Sequence, residues 1–188
     1  AGVNEQSFEY MFLPEFIETR GLDEFETSVK AVETITQYTS CEFAVRPFIN
    51  RHGQEMIDQM IKWSHHENKW VRRLASEGSR PRLPWAMALP ALKKDPLPLI
   101  PILENLKQDP SETVRRSVAN NLNDISKDNP EFVLARVKSW QGQSAETDAL
   151  IKHACRTLLK LGEPRAMALF GFDPKGIEIS DLTLLTSE

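Results

Sequence analysis

Apolar side chains recur at spacings of three and four residues along most of this chain. Such spacing gathers them on one face of an α-helix, as in the sets Phe25, Val29, Val32, Ile35 and Met56, Ile57, Met60, Ile61. Glycine or proline interrupts the pattern near residues 21, 53, 78, 96, 110, 130, 142 and 162–164. The pattern therefore predicts helices from residue 11 onward and no embedded sheet.

Three of the predicted helices begin with related segments. These are "HENKWVRRLASEG" from residue 66, "DPSETVRRSVANNLND" from residue 109 and "ETDALIKHACRTLLKLG" from residue 146, with a fainter copy at 40–53. Their Val71, Val114 and Ile151 are 43 and 37 residues apart. Helix pairs of about this period stack into HEAT-like solenoids, in which each pair buries its apolar face against its neighbours. The predicted fold is thus an all-α, HEAT-like helical-repeat solenoid.

Cations occupy one position of this repeat. A solenoid places equivalent positions in a row on one surface, so they can form a stripe that suits a phosphate backbone. The alternative is a solvated helix face whose cations pair with neighbouring acids. The cations are Arg46, Arg72, Arg73, Arg115, Arg116 and Lys152.

The overall composition narrows the possible partners and setting. Lys and Arg number 23 against 27 Asp and Glu, so a nucleic-acid partner needs a local basic surface. Cys41 and Cys155 have no CxxC or Cys/His neighbours, which argues against a zinc site or a disulfide framework and favours a reducing, cytoplasmic setting. No apolar run approaches the length of a membrane span.

The last stretch, "GIEISDLTLLTSE" at 176–188, alternates like a strand. We expect residues 1–175 to form the helical domain. Residues 176–188 are then either the start of a β-rich domain or a tail that lies across the helices.

The connector "ASEGSRPRLPWA" at 75–86 has an unusual composition for a helical protein. Gly78 ends a helix, and the two residues that precede Pro81 and Pro84 are biased toward extended backbone. The stiff loop carries Arg80, Arg82 and Trp85, and the preceding helix turn carries Glu77, an acid at the end where the helix dipole disfavours one. This placement suggests a role other than stability.

This connector, in the string "HENKWVRRLASEGSRPRLPWA", resembles the DNA alkylation repair glycosylases of the AlkC/AlkD superfamily, and the AlkC-like branch in particular. The upstream "LPEFIETRGLDEFETSVKAVETITQYTSCEFAVRPFI" and the downstream "ETVRRSVANNLNDISKDNP" share the resemblance, which covers roughly residues 8 to 172. It implies a HEAT-like solenoid that grips duplex DNA, excision of cationic alkylated bases such as 3-methyladenine, and no metal or organic cofactor. It also implies that the strand-like tail begins an immunoglobulin-like domain.

The resemblance extends to particular site residues. Asp124 in "NNLND" is implied as the carboxylate that stabilises the cationic sugar, with Glu77 second. Glu42 in "SCEFAVRP" is implied as an acid that contacts the base. Trp85 is implied to attract the cationic base or sugar, and Arg80 is implied to pin a phosphate.

Each of these residues also has a structural interpretation. Trp85 can pack in the core, Arg80 can bind the last carbonyls of its helix, and Asp124 can be a polar residue at a helix end. Glu42 can follow a helix cap at Ser40.

Other candidate residues have weaker patterns. His65, His66 and Glu67 point to different faces of a helix and are expected at the surface rather than on a metal. Trp63, Trp70 and Trp140 are expected in the core or at its rim, and Trp70 can alternatively line a DNA groove.

The sequence thus predicts a monofunctional DNA glycosylase that acts on double-stranded DNA as a monomer. A monofunctional reaction is expected because none of the site residues that the resemblance implies is a lysine or another amine nucleophile. Arg82 joins the expected DNA-binding cations. Two alternatives remain: a non-catalytic protein that binds distorted or branched DNA, and a HEAT-type scaffold for protein interactions.

Overall fold

The computed structural model describes residues 8–172, which form twelve α-helices and two short 3-10 helices. Within this range no residue is in a strand, and the predicted strand-like tail at 176–188 lies outside the described residues. The α-helices are α1 Phe12–Arg20, α2 Phe25–Ile35, α3 Val45–His52, α4 Gln54–Trp63, α5 Lys69–Glu77, α6 Pro90–Lys94, α7 Ile100–Leu106, α8 Glu112–Ile125, α9 Pro130–Trp140, α10 Ala145–Ala154, α11 Arg156–Lys160 and α12 Pro164–Leu169.

Local signals in the sequence explain where several helices begin and end. The side chains of Asn68 and Ser144 accept backbone N–H bonds at the starts of α5 and α10. Pro130 takes the first position of α9, where its missing N–H costs nothing. Gly53, with φ of +53°, turns the chain from α3 into α4. These helices therefore follow the predicted punctuation closely.

The helical-repeat prediction is confirmed. Helices α4 and α5, α7 and α8, and α9 and α10 pack as successive pairs, and α8 packs against both α5 and α10. Val71, Val114 and Ile151 are all buried in one continuous core, as their equivalent positions predict. Helices α5, α8 and α10 thus form a row of second helices, here called the inner row.

Two of the predicted core tryptophans lie in the first helices of these pairs. Trp63 and Trp140 are each 1% exposed, so the core interpretation is confirmed for both. Their indole N–H groups donate to Glu33 at 2.7 Å and to Glu104 at 3.0 Å. A buried indole needs such a partner, and here a rim carboxylate supplies it.

Candidate functional site

A buried arginine joins two acids from different helices. The Arg80 guanidinium donates to Glu77 Oε1 at 2.6 Å and to Asp124 Oδ2 at 2.8 Å. Glu77 ends α5, Arg80 follows in the connector, and Asp124 lies in the last turn of α8. The three residues are 6%, 7% and 1% exposed. Because α5 and α8 pack side by side, residues 44 apart in sequence meet here.

The ion pairs continue beyond this trio in both directions. Arg73 Nη1 lies 3.4 Å from a Glu42 oxygen, and Arg73 Nη2 lies 3.9 Å from Glu77 Oε1. At the other end, the Lys127 ammonium lies 3.2 Å from Asp124 Oδ1. The result is a row of alternating charges, here called the charge row, in the order Glu42, Arg73, Glu77, Arg80, Asp124, Lys127. The charge row contains all three acids that the sequence predicts as site residues.

The surroundings adjust the basicity of the central arginine. Burial alone would lower the pKa of Arg80, but its hydrogen bond with Asp124 and the charge of Glu77 outweigh burial and raise that pKa. Arg80 therefore stays charged, and its guanidinium is shared between both acids. The structural alternative, in which the Arg80 side chain binds the last carbonyls of its helix, is wrong, because the side chain donates to carboxylates instead.

Two asparagines of α8 fix the position of Asp124. Asn121 Nδ2 donates to the Ser76 carbonyl at 2.8 Å and to Ser79 Oγ at 3.2 Å, at the end of α5. Asn123 Oδ1 accepts from the backbone N–H and hydroxyl of Thr157. The last turn of α8 is therefore bound on both sides. Asp124 does lie near a helix end, as the structural interpretation has it, but it is a buried member of an ion-pair network there.

Glu42 lies just before a helix rather than within one. Helix α3 begins at Val45, and Glu42 belongs to the preceding turn. Ser40 accepts a hydrogen bond from Arg73 Nη1 at 3.3 Å instead of capping a helix. The alternative of a helix start at Ser40 is therefore wrong, and the acid turns toward α5.

Trp85 is on the surface. It is 99% exposed and has φ of +64°, the left-handed region that L-residues other than glycine, asparagine and aspartate rarely adopt. The alternative that Trp85 packs in the core is therefore wrong. An indole held entirely in solvent on a strained backbone has no stabilising role in the folded chain.

Cavities open between the helices of the inner row. One, of about 400 Å³, lies between α5 and α8 and is bordered by Arg73, Glu77, Arg116, Ser117 and Asn120 among others. A second, of about 420 Å³, lies between α8 and α10 and shares Arg116 with the first. Glu77 is thus the acid of the buried trio that borders an open cleft.

The predicted cation stripe is only partly formed. The prediction that Arg46 is a surface cation is wrong, because Arg46 is fully buried and donates to three backbone carbonyls. Arg72 is bound to Asp109 at 2.6 Å, and Arg115 donates to the Asp109 carbonyl at 2.6 Å. At this repeat position, Arg46 of α3 and Arg72 of α5 therefore bind groups of the protein rather than extend into solvent.

The other predicted cations lie nearer the surface. Arg116 is largely exposed beside Glu112, and Lys152 is exposed on α10. Arg82 is held by Asp128 through two bonds of 2.6 and 2.7 Å, and this hydrogen bond is the main reason that the pKa of Asp128 is lowered. Arg73 belongs to the charge row.

Three basic residues near the site were not predicted. Lys127 follows Asp124 by three residues, a spacing that could have suggested the pair. His153 and Arg156 come from α10 and α11, and partial burial with the charges of Arg156 and Arg116 lowers the pKa of His153. No sequence signal links these two to α8, because only packing brings them there.

The remaining candidates have local contacts. His65 lies 2.8 Å from Asn105, and His66 Nδ1 accepts from the Asn68 N–H.

In residues 8–172 no group of three or more His, Cys, Asp or Glu side chains is placed to hold a metal ion. Over the same range no helix combines the length and apolar character that a membrane span needs. Trp70 is half-buried, with the Lys69 ammonium 4.9 Å from its ring centroid.

Comparison with known proteins places this arrangement in a family. The model of the DNA alkylation repair enzyme family matches residues 14–158. The uncharacterized protein YhaZ of Bacillus subtilis is 53% identical over 174 residues, which are 92% of this chain and 49% of that protein.

A solved structure has the same fold. It is the Pseudomonas fluorescens alkylpurine DNA glycosylase AlkC bound to DNA containing an abasic site analog. It is 44% identical to this chain with a TM-score of 0.85, over 87% of this chain and 46% of that one. The chain thus spans about half the length of both relatives. The match of the family model and the identity to both relatives show that this chain belongs to the DNA alkylation repair enzyme family.

Proposed function

We propose that this chain excises cationic alkylated purines of the 3-methyladenine type from duplex DNA, as a monofunctional glycosylase without metal or organic cofactor. The observation that carries the proposal is the meeting of Glu77 and Asp124 on Arg80, at the start of the loop that exposes Trp85. Family membership and the similarity to an alkylpurine DNA glycosylase support it.

The chemistry of the substrate leaves an electrostatic task to the protein. Alkylation at a ring nitrogen makes the base cationic, so it departs without prior protonation. As the glycosidic bond breaks, the sugar becomes a cation, which a nearby carboxylate stabilises while it orients the attacking water. A pair of acids in a site of low dielectric suits this task, since charge interactions are strong there.

The two acids differ in how they are held. Asp124 Oδ2 is fixed by Arg80, while its Oδ1 is held by the Lys127 ammonium, whose side chain is 38% exposed. A DNA phosphate can attract Lys127 and so free Oδ1 for the sugar and water. Glu77 borders the cleft between α5 and α8 and lies on the other side of Arg80. We therefore propose that Asp124 is the first candidate to stabilise the cationic sugar. We propose that Glu77 and Glu42 contact the base or line the path by which it enters the site.

The surface cations supply DNA affinity. Arg116 lies between the two clefts of the inner row, and Lys152 is exposed on the next helix. Arg73 and Arg82 lie on either side of the buried trio, although each already has an acidic partner. Arg72 and Arg115, which bind protein groups, contribute mainly to folding.

A direct test measures free base from a duplex that contains one 3-methyladenine. The 188-residue chain is expected to release the base and to leave an unbroken strand with an abasic site, while an undamaged duplex of the same sequence yields none. Binding of both duplexes without release would favour the non-catalytic DNA-binding protein. No binding to either duplex would favour a protein-interaction scaffold.

Replacing Trp85 by alanine tests the role of the exposed indole. A cation over an indole gains about 0.5–2 kcal/mol, so kcat/KM for the cationic lesion is expected to fall by about 2- to 30-fold. The free energy of unfolding is expected to change by less than about 0.5 kcal/mol, because the side chain is 99% exposed. Trp85→Phe, which keeps a weaker aromatic face, is the matched control and is expected to retain part of the activity. Equal kcat/KM in wild type and Trp85→Ala would remove Trp85 from the site.

A further inference from the structure

One buried arginine holds both ends of the Trp85 loop. Arg46, on α3, donates from Nη1 to the carbonyls of Gly78 and Arg80 at 3.0 and 2.9 Å. From Nε it donates to the Met87 carbonyl at 2.6 Å. These carbonyls bracket the segment Gly78–Met87, here called the site loop. A single guanidinium, on a helix more than 30 residues earlier in the sequence, therefore connects the beginning and the end of the loop.

Within residues 8–172 the hydrogen-bond partners of this arginine are carbonyls, and no carboxylate is in direct contact with it. Burial, followed by the positive charge of Arg80, lowers the pKa of Arg46 to about 10, and the negative charges of Asp124 and Glu77 oppose the shift. Its Nη2 is buried without a hydrogen-bond partner in the described part of the chain. Burying a guanidinium is unfavourable, so the carbonyl contacts are the main offset that the structure provides.

A close helix contact makes this reach possible. A Cβ on Gly78 would lie 2.5 Å from Cγ2 of Val45, the residue before Arg46. The absence of a side chain at Gly78 thus allows α3 to approach the end of α5. At that distance the Arg46 side chain meets the carbonyls of the site loop directly.

The first part of the site loop is also held by the Ser79 and Arg80 side chains, which bind groups of α5 and α8. Residues 84–87, which include Trp85, are mostly exposed and have few contacts of their own. The contacts of this second part are the hydrogen bond of the Ala86 N–H to the Leu83 carbonyl at 3.3 Å, that of the Leu89 N–H, just after the loop, to the Pro81 carbonyl at 3.2 Å, and Asn50 Nδ2 at 3.3 Å from Met87 Sδ. The pair of Arg82 and Asp128 connects the loop to the end of α8 but is partly exposed, so it contributes little. Trp85 itself is in solvent. The position of the indole relative to the acids therefore depends on how the ends of the loop are fixed.

We infer that Arg46 is a positioning residue, which fixes the site loop so that Trp85 and Arg80 keep their places relative to Glu77 and Asp124. The inference rests on the proposed function for its catalytic consequence, while the fixing of the loop is testable without it. Arg46 touches no substrate. It acts through the carbonyls that flank the residues expected to contact DNA.

Limited proteolysis of Arg46→Met and Arg46→Lys tests the loop itself. Trypsin can cleave the loop after Arg82, whereas Pro81 protects the bond after Arg80. In Arg46→Met, cleavage after Arg82 is expected to rise by about 10- to 100-fold, because local opening no longer breaks hydrogen bonds to a charged group. Arg46→Lys, with a compact ammonium, is expected to fall between wild type and Arg46→Met.

Arg72→Met is the matched control. Arg72 is also a partly buried arginine with several hydrogen bonds, but it connects the start of α5 to Asp109 and lies outside the loop. Each variant is digested at the same interval below its own Tm. Arg72→Met is expected to lose stability and yet to cleave after Arg82 at the wild-type rate. If Arg46→Met fails to fold, the comparison is made with Arg46→Lys.

Base release provides the second measurement. In Arg46→Met, kcat is expected to fall by about 10- to 100-fold, because misplaced catalytic groups reduce the rate of the chemical step. KM for the duplex is expected to stay within about threefold of the wild-type value. Wild-type cleavage after Arg82 in both Arg46 variants would overturn the loop assignment. A released loop with unchanged kcat would overturn the positioning role. If wild type releases no base, the proposed function fails, while the proteolysis result still decides whether Arg46 holds the loop.

Discussion

Asp124→Asn is expected to lower the rate of base release by about 10²–10³-fold, the loss typical when one preorganised electrostatic group is removed. Asparagine has nearly the same shape and keeps an oxygen that can accept from Arg80 Nε, now 2.8 Å from Asp124 Oδ2. It lacks the negative charge that the developing sugar cation requires. Single-turnover release of 3-methyladenine from a saturating excess of protein measures this step apart from binding.

Asp109→Asn is the matched control for this variant. Asp109 is also a buried acid, 5% exposed, and its partner Arg72 donates at 2.6 Å, but the pair lies at the other end of α5. Both variants lose a buried charge, so both are expected to lose stability. The loss of base release should be confined to Asp124→Asn. A similar decrease in the two variants would mean that Asp124 acts through stability alone.

Arg80→Met is expected to lower the free energy of unfolding by about 3–5 kcal/mol, because it leaves two buried acids without their shared cation. Glu77 and Asp124 each contact this guanidinium, and all three side chains are 8% exposed or less. Asp124 would keep Lys127, and Glu77 would keep only the longer contact to Arg73. Chemical denaturation followed by circular dichroism measures the change.

Two further variants separate charge from packing. Arg82→Met removes an arginine of the same loop whose side chain is 38% exposed, and it is expected to cost less than about 1 kcal/mol. The double variant Arg80→Met with Glu77→Gln removes one of the orphaned charges, so it should be more stable than Arg80→Met alone. A loss in Arg80→Met no larger than that in Arg82→Met would show that the buried trio is not a coupled network.

The structure changes the expected role of Arg80. The family resemblance implies that Arg80 binds a DNA phosphate. Its guanidinium is instead occupied by Glu77 and Asp124, so phosphate binding would have to compete with two short charged hydrogen bonds. We therefore propose that Arg80 orders the acids, and that DNA phosphates are bound by the more exposed Arg116 and Lys152.

The spacing of apolar residues and the positions of glycine and proline were sufficient to predict the helical fold. The spacing of Val71, Val114 and Ile151 predicted three equivalent helices, and all three positions are buried in the inner row. Helix-pair repeats are local structures, and the spacing of apolar residues along the chain defines their buried faces. The sequence alone therefore determined them. The connector and the downstream segment "NNLND" likewise predicted Glu77, Arg80, Trp85 and Asp124 as site residues by resemblance.

The fate of each charged side chain was decided only by tertiary packing. Arg46 and Arg116 occupy similar repeat positions, yet Arg46 is fully buried under the site loop and Arg116 is largely exposed. The pairing of Arg80 with Asp124 spans 44 residues and follows from the contact between α5 and α8. Helical periodicity specifies which face a residue is on, but not what packs against that face. The sequence by itself therefore determined the helical repeat and predicted the candidate acids, while the tertiary structure decided which cations bind those acids and which remain exposed.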